Sequence, residues 1–215
     1  MRRQVFPGFL GRDGQIVRRP PVNYILIGYR AAGKTSVGQR LALLLGRPFY
    51  DTDDLVRRQT GRTVKEIVSR GGWPAFRAAE RAAVAGLASR EGAVIALGGG
   101  AVLDPANVEA LKPRGVFIWL QAGEETIRDR LAADRATAEQ RPSLLSPGEG
   151  GEGEILRRRI PLYGAVADLA VDTTGLSIDE VAGKIKAAIE SAFPFPSPNS
   201  SLPRGEKVEE KAGRG

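Results

Sequence analysis

Residues 28–35, GYRAAGKT, constrain the fold of this chain more than any other stretch, because they fit the phosphate-loop template G-x-x-x-x-G-K-[ST]. An apolar run of strand length, NYILIG, leads into the loop, and a helical pattern, SVGQRLALLL, follows it. In that setting Gly28 and Gly33 permit a close backbone approach, and the amides at the helix start point at anionic oxygens. The stretch therefore predicts a strand–loop–helix unit that binds phosphate groups.

The side chains of this loop predict how the phosphates are held. Lys34 can reach the β- and γ-phosphates of a nucleotide, and the hydroxyl of Thr35 can bind Mg²⁺. The alternative is an ordinary strand-to-helix turn with a chance lysine, which the flanking strand and helix disfavour. We expect the nucleotide to contact the loop and the first helical turn: Gly28, Tyr29, Arg30, Ala31, Ala32, Gly33, Lys34, Thr35 and Ser36.

The rest of the chain body alternates apolar runs of strand length with helical patterns. The runs are NYILIG, RPFYD, AVIALG, GVFIWL and DLAVDT, and they are separated by stretches such as PAFRAAERAAVAGLA. Short buried strands that alternate with helices indicate a parallel sheet covered on both faces. We predict one α/β domain over residues 21–192, with three layers (α/β/α) around a central, mostly five-stranded parallel sheet.

The two ends of the chain differ from this body. Residues 1–20 lack a sustained period and lack the apolar core of a secretory signal, which predicts a flexible basic leader. Residues 193–215 are rich in Pro, Ser, Gly and charge, which predicts a disordered tail. Much of the net charge of +7 lies in the leader, so the body is only mildly basic. We therefore expect no specific nucleic-acid partner and, because no apolar run is long enough, no membrane span.

Cysteine and histidine are both absent from the chain. Their absence excludes disulfides, Cys/His metal sites, thiol nucleophiles and histidine acid–base chemistry. Catalysis must instead use carboxylates, Lys, Arg, hydroxyls, backbone amides and an oxygen-bound Mg²⁺. A chain without cysteine is compatible with the cytoplasm, and we expect a cytoplasmic monomer.

Acidic and glycine residues follow the next two strands. The second strand ends in Asp51, Thr52 and Asp53, and because ligands gather beyond the carboxyl ends of parallel strands, Asp51 and Asp53 should face the phosphate loop. One carboxylate can bind Mg²⁺ and the other can accept a proton from an attacking hydroxyl. Helix capping is an equally good explanation of either aspartate. The third strand ends in Gly98, Gly99 and Gly100, which predicts backbone amides exposed to a ligand.

Three arginines stand in settings that suit an anionic ligand. Arg77 shares a helix face with Glu80, Arg141 lies in a Gly/Pro-flanked loop, and Arg159 precedes a segment in which Pro161 should end the local helix. Guanidinium groups bind carboxylates and phosphates bidentately. Each arginine alone is better explained as a solvated surface residue, so the prediction depends on their joint placement.

Taken in order, these motifs resemble those of one enzyme family. The set GYRAAGKTSVGQRLA, FYDTDDLV, RTVKEIVSRGGWPAFRAAE, ALGGGAV, QRPSLL and RRIPLYGAVADLAVDT is similar to that of the shikimate kinases, which are P-loop enzymes related to the nucleoside monophosphate kinases. The resemblance covers about residues 22–190. It implies a P-loop kinase fold with a mobile lid, here about residues 133–152, and transfer of the γ-phosphate of ATP to the 3-hydroxyl of shikimate in chorismate and aromatic amino acid biosynthesis.

The resemblance also implies roles for single residues. Lys34, Asp53 and Arg141 would be catalytic, with Asp53 as proton acceptor and Arg141 as the lid arginine over the phosphates. Thr35 and Asp51 would hold Mg²⁺, and Arg130 would pack near the adenine. Shikimate, the expected small-molecule partner, would be bound by seven residues, with Arg77 and Arg159 on its carboxylate: Asp53, Arg77, Glu80, Gly98, Gly99, Gly100 and Arg159.

The chain departs from the family pattern at two points, and two other functions are alternatives to the one that the resemblance implies. Ala31 stands where many phosphate loops carry another glycine, which predicts a stiffer loop, and the lid segment is longer than a compact family lid. Within enzymes, a gluconate kinase is the main alternative, because gluconate also combines a carboxylate with hydroxyls. The other is a non-catalytic homologue that uses the basic leader on nucleic acid.

Overall fold

A parallel five-stranded sheet forms the centre of the protein. The computed structural model describes residues 22–133 and 151–192, together with the backbone of Phe9–Leu10 and Ile16–Val17. The sheet contains β3 (Asn23–Ile27), β4 (Phe49–Asp51), β5 (Val94–Ala96), β6 (Gly115–Gln121) and β7 (Leu169–Asp172). Its strand order is β4-β5-β3-β6-β7, and each neighbouring pair is parallel. The predicted parallel sheet is confirmed.

Helices cover the sheet, and their bounds follow local sequence signals. They are α1 (Lys34–Leu45), α2 (Thr52–Thr60), α3 (Val64–Ala88), α4 (Pro105–Leu111), α5 (Glu124–Ala133), α6 (Glu152–Val166) and α7 (Ile178–Ala192). Helix α1 packs against α7, and α3 packs against α2 and α4. The predicted capping box before α7 is present, since the Glu180 amide donates to Ser177 Oγ while Glu180 Oε2 accepts from the Ser177 amide. Among the helices in the described part of the chain, none has the length and apolar character needed to cross a bilayer.

Two prolines fall within helices. Pro74 follows a kink at Gly72, which has φ 69° and ψ −178°, so it lies in the first turn of the second half of α3 and breaks no hydrogen bond there. Pro161 lies well inside α6, so the prediction that it ends a helix is wrong. The helix continues past Pro161 because its buried residues Ile155, Leu156 and Tyr163 pack into the main core on both sides of the proline.

Short elements also occur in the segment predicted to be a leader. Strand β1 (Phe9–Leu10) pairs antiparallel with β2 (Ile16–Val17). The flexibility predicted for residues 1–20 stays a prediction. The predicted tail, residues 193–215, lies outside the described residues, as does nearly all of the predicted lid.

The sheet register brings three strand ends to the same level. Leu26 of β3 pairs with Ala96 of β5, and Ala96 also pairs with Asp51 of β4. Strand β3 is buried along its whole length, and so is β5. The residues that follow these three strands, which are the phosphate loop, the acidic run and the triple glycine, therefore meet at one edge of a rigid sheet.

Candidate active site

The phosphate loop connects β3 to α1 and curls around its own lysine. Gly28 has φ 139° and Gly33 has φ 93°, conformations that favour glycine. A Cβ at Gly28 would also lie 2.6 Å from the carbonyl oxygen of Leu120. The ammonium of Lys34 donates to the carbonyl oxygens of Gly28 at 2.9 Å and Tyr29 at 2.8 Å. This is a cradle of backbone amides with a cation at its centre, so the loop fits the phosphates of a nucleotide.

Ala31 has the left-handed conformation that glycine would adopt without strain. Its φ is 59°, and among the described residues it is the one non-glycine residue with positive φ. Arg130 of α5 spans the gap between this loop and the loop after β7, because its guanidinium donates to Thr173 Oγ1 at 3.1 Å and Thr173 O at 3.0 Å and reaches Ala31 O at 3.5 Å. The side chain predicted to pack near the adenine thus lies beside the phosphate loop.

Asp51 caps a helix with one carboxylate oxygen and faces the phosphate loop with the other. Its Oδ1 caps α2 by accepting from the amides of Asp53 at 2.9 Å and Asp54 at 3.4 Å. Its Oδ2 accepts from the hydroxyl of Thr35 at 2.7 Å. Within the described ranges, no group of three acidic, Cys or His side chains could hold a metal alone. A hydroxyl and one carboxylate beside a phosphate loop nevertheless fit Mg²⁺, which takes few protein ligands and completes its shell with phosphates and water.

A cavity beside the phosphate loop brings together all seven residues predicted to bind the acceptor. Asp53, Arg77, Glu80, Arg159 and the Gly98–Gly100 run all line it. Four further residues complete the lining: Arg30, Val64, Trp73 and Phe76. The cavity therefore combines cationic, acidic and aromatic groups a short distance from the phosphate loop.

Each glycine of the Gly98–Gly100 run leaves room for a functional group. A Cβ at Gly98 would lie 2.7 Å from Glu80 Oε1 and 2.8 Å from Asp53 Oδ1, and a Cβ at Gly100 would overlap the guanidinium of Arg77. A Cβ at Gly99 would lie 3.2 Å from the amide nitrogen of Arg30. The amide of Gly98 itself donates to the buried hydroxyl of Thr52 at 2.8 Å, so it is not offered to a ligand as the sequence suggested. Glycine leaves space for neighbouring side chains at Gly98 and Gly100, and for the backbone of the phosphate loop at Gly99.

Arg77 is held by a buried carboxylate and two aromatic rings. It donates to Glu80 Oε2, and its Cζ lies 5.6 Å from the ring centroid of Trp73 and 5.3 Å from that of Phe76. Glu80 is 1% exposed, and its Oε1 has no hydrogen-bond partner among the described residues. Burial raises the pKa of Glu80, and the charge of Arg77 opposes that rise. The two rings and Glu80 hold the guanidinium of Arg77 in place, and the charges of Arg77 and Glu80 offset each other.

Helix α6 positions Arg159 through Tyr163, which lies one turn further on. The hydroxyl of Tyr163 donates to Gly99 O at 2.5 Å, and Arg159 approaches the same oxygen at 3.4 Å. The ring of Tyr163 packs 5.9 Å from that of Trp119. Burial raises the pKa of Tyr163 to about 12. Arg159 also lies over the Tyr29 ring at 5.6 Å, and no carboxylate within residues 22–133 or 151–192 pairs with it.

Glu152 ties the start of α6 to the phosphate loop. Its carboxylate accepts from the guanidinium of Arg30 and from the hydroxyl of Tyr29. Tyr29 is buried, and burial is the main cause that raises the pKa of its phenol. Two spacer residues of the phosphate loop thus contact a helix that also carries Arg159.

The roles of Ser36 and Arg141 stay predictions, and several residues at the site were not predicted. Ser36 is exposed on the first turn of α1, and Arg141 lies outside the described residues. Trp73 and Phe76 could have been found from their spacing to Arg77 in GGWPAFR, and Tyr163 from its place in RRIPLY. Glu152 is one of several glutamates in EGGEGE, and no local pattern distinguishes it.

A phosphate loop that faces a charged cavity at the carboxyl edge of a parallel sheet defines a P-loop kinase of small molecules. A family model for shikimate kinase matches residues 30–190. The chain belongs to the shikimate kinase family.

Individual relatives agree with that membership. The chain is 44% identical over 178 residues to the shikimate kinase of Syntrophus aciditrophicus, a match that covers 79% of this chain and 91% of the relative. It is 43% identical over 171 residues to that of Moorella thermoacetica, covering 80% and 96%.

Solved structures show the same fold. Shikimate kinase from Acinetobacter baumannii, in complex with shikimate, superposes with a TM-score of 0.72 at 36% identity and covers 81% of this chain and 96% of that one. A gluconokinase from Sinorhizobium meliloti gives a TM-score of 0.53 at 22% identity, covering 81% and 95%. At that identity the likeness to the gluconokinase shows the fold alone.

Proposed function

We propose that this protein transfers the γ-phosphoryl group of ATP to the 3-hydroxyl of shikimate. The observation that carries the proposal is the acceptor cavity, in which a strand-end carboxylate, an arginine–glutamate pair and a further arginine face one another beside the phosphate loop. A hydroxylated carboxylate is the ligand class that this combination suits. Membership of the shikimate kinase family supports shikimate as that ligand.

Asp53 is the group best placed to accept the proton of the attacking hydroxyl. It lies in the first turn of α2, two residues after the end of β4, its carboxylate lines the cavity, and Oδ1 lies beside the Gly98 turn. Phosphoryl transfer depends on positioning and charge stabilisation, so a carboxylate that orients the hydroxyl and takes its proton is sufficient.

Arg159 is the cation best placed to bind the acceptor carboxylate. Arg77 has a carboxylate partner in Glu80, whereas Arg159 lies between the Tyr29 ring and the Gly99 carbonyl and keeps its charge for a ligand. Arg77 would then donate a hydrogen bond to one ring hydroxyl of the acceptor, and Glu80 would accept a hydrogen bond from another.

The phosphate loop and Asp51 would hold the nucleotide. Lys34 would exchange its bonds to the loop carbonyls for oxygens of the transferred phosphate, and Thr35 with Asp51 would hold Mg²⁺. Bound Mg²⁺ supplies charge neutralisation on the phosphate oxygens. Arg130 would contribute near the adenine and Arg141 over the phosphates.

The cellular location, the oligomeric state and the type of partner are also proposals. We infer that the protein is a cytoplasmic monomer that acts on a small molecule; the cavity beside the phosphate loop supports the small-molecule partner. A specific nucleic-acid partner is not part of the proposal.

Turnover with competing acceptors tests this function. ADP release should be measured with no acceptor, with shikimate and with gluconate, each in the presence of Mg²⁺. We expect shikimate to stimulate ADP release strongly and gluconate to leave it near the basal rate. Stimulation by gluconate alone would overturn the proposal.

Substitution of neighbouring arginines adds a structural control. Arg159→Ala should raise the KM for shikimate by about tenfold or more, as expected for a lost charge-assisted contact. Arg158→Ala serves as the match, because Arg158 pairs with Glu154 on the exposed side of the same helix. Equal effects of the two substitutions on KM would argue against a carboxylate site at Arg159.

A further inference from the structure

Arg30 belongs to the phosphate loop, yet its side chain lines the acceptor cavity. Its guanidinium pairs with Glu152, the first residue of α6, and the two side chains are only 19% and 29% exposed. The Tyr29 hydroxyl donates to the same carboxylate, so Glu152 is held from two directions. The pair joins the phosphate loop to the start of α6, and the proposed function assigns no task to Glu152.

The charges around the cavity give this pair a consequence for the acceptor. Arg30, Arg77 and Arg159 all reach the cavity. Glu80 neutralises Arg77, and Glu152 neutralises Arg30. Among the described residues, Arg159 is left as the cavity guanidinium without a carboxylate partner, so a carboxylate on the acceptor has one favoured position.

Without Glu152 the acceptor would have two favoured positions. Arg30 lies on the phosphate-loop side of the cavity, where its backbone amide packs against Gly99. An acceptor carboxylate that took the place of Glu152 at Arg30 would occupy the side from which phosphate is transferred. The reacting hydroxyl would then point away from that side, and this mode of binding would be unproductive.

We propose that Glu152 is a positioning residue, which neutralises Arg30 and thereby restricts the acceptor to the orientation with its carboxylate at Arg159. The inference rests on the proposed function, since it concerns how the same cavity selects one orientation of its acceptor. Glu152 contacts neither substrate; it acts through Arg30.

Glu152→Gln is the direct test, because glutamine can still accept from Tyr29 but carries no charge. Unproductive binding lowers kcat and KM by the same factor and leaves kcat/KM unchanged, since both modes of binding compete for the same free enzyme. We expect kcat and the KM for shikimate to fall together by about tenfold, the factor that corresponds to a charge-assisted contact.

Matched variants separate this role from a structural one. Glu154→Gln removes a carboxylate from the same helical turn, where it pairs with the exposed Arg158, and should leave both constants unchanged. Glu152→Asp keeps the charge and should restore kcat. In an Arg30→Met background, Glu152→Gln should cause no further change, because the charge that it releases is gone.

The outcomes are distinguishable. If the unsubstituted protein fails to turn over shikimate, the proposed function fails and not this inference alone. If it does turn over shikimate but Glu152→Gln lowers kcat/KM, or if the substitution has the same effect in the Arg30→Met background, Glu152 does not set the orientation. Equal thermal melting temperatures of the variants would show that each reports on a folded protein.

Discussion

The hydroxyl of Thr35 donates to Asp51 Oδ2 at 2.7 Å and thereby joins the end of the phosphate loop to the end of β4. The second oxygen of the same carboxylate caps α2 through the amides of Asp53 and Asp54. One aspartate therefore fixes the position of the proposed base, Asp53, relative to the proposed metal site.

Two substitutions at Asp51 should separate its structural role from its proposed metal-binding role. Asp51→Asn keeps an oxygen that can cap α2 but removes the charge, so the Mg²⁺ concentration for half-maximal activity should rise by about tenfold or more. Its unfolding free energy should stay close to that of the unsubstituted protein. Asp51→Ala should also lose about 1 kcal/mol of unfolding free energy, because the cap is gone. Activity titrated with Mg²⁺ and unfolding in urea measure the two effects; an unchanged Mg²⁺ requirement in Asp51→Asn would contradict the metal role.

Asp53→Asn should slow the chemical step and leave the binding of the nucleotide nearly unchanged. We expect kcat to fall by about 10²-fold or more, because the hydroxyl loses its proton acceptor. The affinity for ATP, measured by calorimetry, should be nearly unchanged. Asp54→Asn is the matched control, since Asp54 follows directly but forms an exposed pair with Arg57. Near-normal turnover by Asp53→Asn would remove Asp53 as the base.

Gly100→Ala should damage the acceptor site through Arg77. The new methyl group would overlap the guanidinium and displace it from Glu80, so the KM for shikimate should rise by about tenfold or more. Gly86→Ala, on the exposed side of α3, meets no atom within 4 Å. That control should instead raise the unfolding free energy by about 0.5–1 kcal/mol, because alanine favours a helix over glycine. Acceptor titrations and urea unfolding distinguish the two; an unchanged KM in Gly100→Ala would mean that Arg77 does not contact the acceptor.

Tyr163 should make stability depend on alkaline pH. Burial raises the pKa of its phenol to about 12 in the folded protein, against 10.0 for an ordinary tyrosine. The folded state therefore holds this proton more tightly than the unfolded state, and stability is lost as the pH rises from 10 toward 12, by about 1.4 kcal/mol per pH unit.

Tyr163→Phe provides the comparison. At pH 8 it should lose about 1 kcal/mol of unfolding free energy with the hydrogen bond to Gly99. At pH 11 the difference from the unsubstituted protein should shrink or reverse, since phenylalanine has no proton to lose. Urea unfolding at the two pH values measures this; an equal difference at both would show that the phenol ionises normally in the folded protein.

The order of motifs was sufficient to predict the sheet and the strand–loop–helix unit, and to bring seven residues to one cavity, where acceptor binding stays a prediction. Strand ends are level in a parallel sheet, so Gly28, Asp51 and Gly98 had to meet once the strands were identified. The match of seven predicted residues to one cavity follows from the same geometry.

Contacts between distant segments could not be predicted in this way. Glu152 reaches Tyr29 and Arg30 across more than a hundred residues, and nothing in its local sequence separates it from its neighbours. The position of Pro161 inside α6 was missed because the packing of Ile155 and Tyr163 outweighs the local preference of proline. Asp51 could not be assigned to one role because its two oxygens have different partners.

The identity of the product tests the central claim most directly. Phosphorus-31 and proton NMR of a reaction with ATP, Mg²⁺ and shikimate should show one phosphate, coupled to the proton on C3 of the ring. Phosphate on another hydroxyl, or ADP formed with inorganic phosphate and no phosphorylated shikimate, would contradict the assignment of this cavity to the 3-hydroxyl of shikimate.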